Sequence, residues 1–159
     1  YEGFGPGGTG FIIETLTDNK NRTAGDIRSI FTKCGGNLAE TGSVSFLFSK
    51  VGLIEFDLSK SSEDEIIESS IDQGAEDCDI SDDCYEIYCQ PSDLHSLGEK
   101  LEKKFGDANL MKIIWKPENN VVIDQDAFTK IDRLIELLDD NDDVQDIYFN
   151  FDIPDDFIS

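Results

Sequence analysis

The sequence predicts an α+β protein made of two ferredoxin-like α/β sandwich domains, the second inserted into the first. Two observations lead there. The outer stretches, near residues 10 to 48 and 121 to 151, each follow the order strand, helix, strand, while the stretch between them follows β-α-β-β-α-β, an order complete in itself. The outer halves are expected to close on each other as one discontinuous domain, residues 1–52 with 120–159, around an inserted domain at 53–119. The crossings near Gly52 and near Pro117 to Asn120 would form a two-stranded hinge, with helices covering one face of each antiparallel sheet.

Each element has its own signal. Residues 10 to 17 are β-branched and aromatic, as strands are. Ala24, Ile27, Ile30, Phe31 and Cys34 then recur at helical spacing, behind a cap at Asn21 or Thr23 and ahead of a Gly35-Gly36 stop. Val44, Phe46 and Phe48 alternate and predict a half-buried strand over 43–48. Next come a strand at Ile54, Phe56 and Leu58, and a helix carrying Ile66, Ile67 and Ile71 that ends at Gly74. Two strands follow, through Cys78 and Ile80 and through Tyr85, Ile87 and Cys89. Pro91 opens a helix bearing Leu94, Leu97, Leu101 and Phe105 that stops at Gly106, and Met111, Ile113 and Trp115 mark another strand. The last forty residues predict a strand at 121–123, a helix with Phe128, Ile131, Leu134, Ile135 and Leu138 on one face, and a strand through Ile147, Phe149 and Phe151.

Composition narrows the function classes. With 38% hydrophobic residues and eleven Phe in 159 positions, the chain can pack a core, and no run of about 18 apolar residues suggests a membrane span. No signal peptide is legible at the start, so a cytoplasmic protein is expected, or one of the mitochondrial matrix in a eukaryote. Tyr1-Glu2-Gly3-Phe4-Gly5-Pro6-Gly7-Gly8 opens without Met, as a piece of a longer protein would, and is expected to be a glycine-rich connector. Cys34, Cys78, Cys84 and Cys89 form no CxxC pair and lie near no His, so they predict neither a zinc site nor a redox dithiol. In a hairpin over 75–89, Cys78 is expected opposite Glu86, with Cys84 and Cys89 on opposite faces.

Charge is unevenly spread. The formal net charge of −22 divides into 0 over residues 1–52, −12 over 53–119 and −10 over 120–159. The molecule as a whole repels polyanions, so only the first segment offers them a surface. Within it, Lys20, Arg22, Arg28 and Lys33 against Asp26 give residues 19–33 a net +3. Asn21, Thr23 and backbone amides at a helix start add phosphate donors beside Lys20 and Arg22. An ordinary polar turn with four solvated cations accounts for the same residues.

Other motifs carry less. Gly3, Gly5 and Gly8 match G-x-G-x-x-G, but that motif binds dinucleotides only between a strand and a helix, and here a strand follows. Asp139, Asn141 and Asp143 alternate as a calcium loop begins, yet Val144 and Asn150 occupy the positions of its Gly and Glu. His95, the single histidine, has no nucleophile or carboxylate partner legible by spacing. No cofactor, metal site or catalytic residue is therefore expected, and an enzyme ranks last among the function classes.

Tyr1 to Gly8, Glu14 to Thr23, Gly35 to Val44, and Asp143 to Tyr148 continuing through Asn150-Phe151-Asp152-Ile153-Pro154 together resemble the YebC family. That family includes bacterial proteins described as transcriptional regulators and the mitochondrial translational activator of cytochrome c oxidase. The likeness runs over nearly the whole chain and is densest in residues 1–48. It implies three domains, of which a basic helical first one is absent here, and the same split second and inserted third domains. It also implies a non-enzymatic role in gene expression, on DNA in some members and on the ribosome in others. Phe4 stands where Tyr is common and Cys34 where His is common. The leading expectation is a nucleic-acid-associated regulator contacting DNA or ribosomal RNA through Lys20, Asn21, Arg22, Thr23, Arg28 and Lys33. The alternative is a protein-interaction module whose acidic surface docks basic partners.

Overall fold

The structure, a computed structural model, describes residues 1–152; residues 153–159, which include Ile153-Pro154 and the end of the expected second segment, lie outside the described residues. The glycine-rich opening is not a connector. Strand β1 (Glu2–Gly5) turns through Pro6–Gly8 into β2 (Thr9–Thr15), and the two pair antiparallel with Gly3 opposite Phe11. Composition misleads here because the glycines make room for aromatic rings. A Cβ on Gly3 would lie 2.7 Å from the Phe31 ring, and one on Gly5 would lie 2.6 Å from the Phe11 ring. Gly7 and Gly8 take φ of 76° and 77° in the turn, a region that L side chains rarely adopt.

Helix α1 (Lys20–Lys33) follows, with Thr23, Ile27 and Phe31 buried. It ends in a Schellman arrangement: Gly36 N–H donates to Phe31 O and Gly35 N–H to Thr32 O, with Gly35 at φ 83°. A short strand β3 (Asn37–Ala39) pairs with β1. The strand predicted over 43–48 is absent. Glu2 explains this, since its carboxylate accepts backbone N–H groups from Gly42 (2.7 Å), Val44 (2.9 Å) and Ser45 (2.6 Å) and bends the chain into a 3-10 turn at Ser45–Leu47. Val44 and Phe48 are buried as alternation predicts, but Phe46 is 69% exposed.

The remaining elements are β4 (Phe48–Asp57), α2 (Glu63–Asp72), β5 (Asp77–Ile80), β6 (Cys84–Cys89), α3 (Leu94–Phe105), β7 (Leu110–Pro117), α4 (Gln125–Asp139) and β8 (Val144–Phe149). They divide into two compact units, one of residues 1–49 with those from 116 onward and the other of residues 50–115. The chain thus crosses between units inside β4 and β7.

The first unit carries a sheet of order β3-β1-β2-β8, with β2 and β8 antiparallel. Phe11 and Ile13 of β2 pack with Ile27 and Phe31 of α1 and with Ile131, Leu134 and Leu138 of α4. The strand predicted at 121–123 is reduced to a single bridge between Val121 and Phe151. Asn150 turns inward instead: it is 2% exposed and its Oδ1 accepts the Gly10 N–H at 2.6 Å. The two ends of the insertion are held within this unit, where Glu118 N–H donates to Leu47 O at 3.0 Å and Ser49 Oγ to Glu118 Oε1 at 2.7 Å.

The second unit is an α+β sandwich with strand order β5-β6-β4-β7, the arrangement of a ferredoxin-like βαββαβ chain. Ile54, Phe56 and Ile87 pack there against Ile66 of α2 and Leu97, Leu101 and Phe105 of α3. Cys78 lies opposite Ile87 rather than Glu86, because a Ser81-to-Cys84 turn makes Ile80 and Tyr85 the first pair. All four cysteines are free thiols, and burial pushes each above its ordinary value, Cys78 to about 11.

Burial alone would raise the Glu2 carboxyl, but its three amide donors outweigh burial and hold it below the usual value of 4.5. A lowered folded value means that the unfolded chain binds the proton more readily. The stabilisation is therefore complete above about pH 4.5 and is lost as pH falls through the folded value. Glu2→Gln is expected to lower the unfolding free energy by about 2–4 kcal/mol at neutral pH. Urea unfolding measured from pH 7 to pH 3 should also show a shallower acid decline in the variant.

Candidate nucleic-acid interface

Helix α1 starts one residue after Asn19, whose Oδ1 accepts the Arg22 N–H at 3.1 Å. Asn19, not Asn21 or Thr23, is therefore the cap. Thr23 is fully buried and its hydroxyl donates to Asp143 Oδ2 at 2.8 Å, 2.8 Å from Thr17 Oγ1. Arg22 Nη2 reaches the same carboxylate at 3.0 and 3.2 Å and Asp18 Oδ1 at 3.3 Å. The Thr23 and Arg22 hydrogen bonds hold the Asp143 carboxyl below its ordinary value, and Asp143 raises the Arg22 guanidinium in turn.

Two of the six expected contact residues are thus committed within the fold. Their surroundings are acidic as well. Asp18, Asp26, Asp140, Asp142 and Asp143 line a cavity of about 590 Å³ with Asn141, and among the described residues Arg22 is its one cation. This field opposes the attraction that a helix N-terminus has for phosphate. The calcium-like alternation is absorbed by the same arrangement, since Asp143 serves Thr23 and Arg22 while Asn141 Oδ1 accepts the Asp143 N–H at 3.0 Å.

Lys20, Asn21, Arg28 and Lys33 are exposed, but they do not share one surface. Lys20 and Lys33 open and close α1, about 20 Å apart along its axis. Arg28 and Lys33 are five positions apart, roughly 140° around the helix. Among the described residues none of Lys20, Arg28 and Lys33 forms an ion pair with a carboxylate.

Lys33 belongs to a second recess of about 450 Å³, lined by Thr32, Lys33, Cys34, Gly35, Thr129, Lys130 and Arg133. It joins the end of α1 to the middle of α4. Burial pushes the Cys34 thiol up, while the positive charges of Arg133 and Lys33 oppose that shift. Sequence spacing could not pair Lys33 with residues about a hundred positions away. A signal was present nonetheless: Lys130 and Arg133 are the two cations of residues 120–159 and lie one helical turn apart.

His95 is exposed in the first turn of α3. Among the described residues no three His, Cys, Asp or Glu side chains converge as a metal site, and no helix is long and apolar enough to cross a membrane.

Comparison with known proteins adds two findings. The family described as "TACO1/YebC second and third domain" matches residues 1–151. A crystal structure of a conserved hypothetical protein from Aquifex aeolicus is 39% identical and superposes with a TM-score of 0.91, covering 100% of this chain. The chain spans 66% of that protein's length.

Because Thr23 is buried and bridges two segments, Thr23→Val is expected to cost about 1–2 kcal/mol of stability in urea unfolding. Lys20→Gln, at an exposed and unpaired position, should leave the same curve unchanged.

Proposed function

The chain belongs to the TACO1/YebC family, associated with transcriptional regulation and translational activation, and from that premise we propose that it acts by binding nucleic acid without chemical turnover. The observation that carries this reading is the set of unpaired cations on α1. Lys20, Arg28 and Lys33 project from one helix of a strongly acidic chain, and no carboxylate among the described residues neutralises them. Phosphates of DNA or ribosomal RNA are the partners that such cations fit. Asn21 supplies a polar contact beside Lys20. Arg22 and Thr23 have a supporting role, holding the start of α1 through Asp143. The surrounding acidic surface limits nonspecific attachment, and the site of action is the cytoplasm, or the mitochondrial matrix in a eukaryote.

A second reading has its own observation. In the sheet of the second unit, Asp79 lies opposite Glu86, and Glu86 opposite Glu55. Like charges directly opposite across strands destabilise a sheet. Such a row suits the docking of a basic protein surface.

At fixed pH, Lys20→Glu with Arg28→Glu in the full-length protein is expected to weaken ribosome co-sedimentation or duplex DNA binding at least tenfold. The slope of log affinity against log salt should fall in magnitude by about 1–2, the share of the lost phosphate contacts. Unchanged binding would overturn the assignment. Co-sedimentation that survives nuclease but is lost on Glu55→Lys with Glu86→Lys would favour the protein-docking reading.

A further inference from the structure

The recess at the end of α1 has no role in the fold just described, and its charge is opposite to that of the molecule. Three cations from two helices line it: Lys33 from α1, and Lys130 and Arg133 from α4. Among the described residues no carboxylate lines it. Among the described residues Lys33 and Lys130 form no ion pair, and Arg133 has only an exposed contact with Glu136 at 3.5 Å, of a kind that contributes little. By contrast Arg22, at the other end of α1, is held by two carboxylates.

Gly35 lines the recess in the left-handed conformation, which L side chains rarely adopt. The hydroxyls of Thr32 and Thr129 donate to Arg28 O (2.9 Å) and Gln125 O (3.0 Å), so the side-chain charges left for a ligand belong to Lys33, Lys130 and Arg133.

We infer that this recess seats a backbone phosphate of nucleic acid, with Lys33, Lys130 and Arg133 as its donors. A guanidinium fork and two ammonium groups suit a tetrahedral oxyanion. The volume of about 450 Å³ exceeds what one phosphate needs. The seat also gives the nucleic acid a direction. Lys20 lies about 20 Å from Lys33 along α1, the rise of roughly six stacked nucleotides at 3.4 Å each. Lys20 and Lys33 also lie roughly 140° apart around the helix, so a strand that touches both must be longer than that axial rise, and a much shorter one cannot reach both. The inference rests on the nucleic-acid reading above and extends it to α4.

Fluorescence anisotropy of this chain with a labelled 12-nucleotide oligouridylate, a 3-nucleotide one and a 12-base-pair DNA duplex tests it. Lys130→Gln with Arg133→Gln is expected to weaken 12-mer binding at least tenfold and to lower the salt slope by about 1. Thr129→Asp, which adds a carboxylate to the exposed rim, should do the same, and far-UV circular dichroism checks that both variants fold. The 3-mer should bind weakly to every form. Preference for the oligouridylate or for the duplex shows whether single-stranded RNA or duplex DNA is the better source of the phosphate. If both recess variants bind like the wild type while Lys20→Gln with Arg28→Gln weakens binding, the seat is wrong and the broader reading stands. If no variant differs from the wild type, both fall. Equal competition by polyglutamate of matched charge would show a general polyanion surface and overturn the phosphate assignment.

Discussion

The Asp143 carboxylate sets what the start of α1 can do. It joins Thr23 to a residue 120 positions away, and Asp143 O also accepts the Leu16 N–H at 2.9 Å beside the β2–β8 pairing. The helix start, the end of β2 and the start of β8 thereby become one structure. The entropic cost of closing so long an interval grows only logarithmically, by about 0.6 kcal/mol per doubling. Segment ends held together at Leu47, Ser49 and Glu118 shorten the effective interval further. A few well-made polar contacts are therefore enough to unite the halves of the first unit, with the Phe11-centred core supplying the apolar contribution. The same contacts bury the Thr23 hydroxyl and engage Nη2 of Arg22, whose side chain stays 48% exposed.

Legibility in the sequence followed burial pattern. The four helices and the order of the inserted sandwich were readable because each buries a stripe or a face at a regular period, as Leu97, Leu101 and Phe105 do on α3. The misses share a cause: a distant residue overrides the local pattern. β1 is hidden by glycines whose purpose is to admit Phe31 and Phe11. The 43–48 alternation is genuine at Val44 and Phe48, but Glu2 draws the intervening amides into a turn. Asn150 draws the chain onto Gly10 and leaves Val121 a single bridge.

The candidate site was legible to a lesser degree, for an electrostatic reason. A count over residues 19–33 treats every charge as free, whereas the fold distributes partners unequally. Arg22 meets Asp143 from the far end of the chain, and Lys33 meets Lys130 and Arg133 instead. The first encounter leaves no local trace, and the second leaves only the spacing of Lys130 and Arg133, one helical turn apart. What the sequence did carry was the resemblance in the 1–48 and 143–152 segments, the ones that the Asp143 and Asn150 contacts bring together.

An acidic protein that binds a polyanion must separate its charges by more than the screening length. At physiological ionic strength that length is about 8 Å, shorter than the roughly 20 Å between the ends of α1. The five carboxylates around Arg22 therefore act mainly at the start of the helix, and the three cations of the recess mainly at its end. Lower salt lengthens the reach of both. At 0.01 M it approaches 30 Å, and repulsion from the acidic surface then grows alongside attraction to the recess. Net charge and local charge thus impose opposite salt dependences on this molecule. At cellular ionic strength and above, acidic surface farther than about 8 Å is largely screened, and the field at the recess is set mainly by its own three cations.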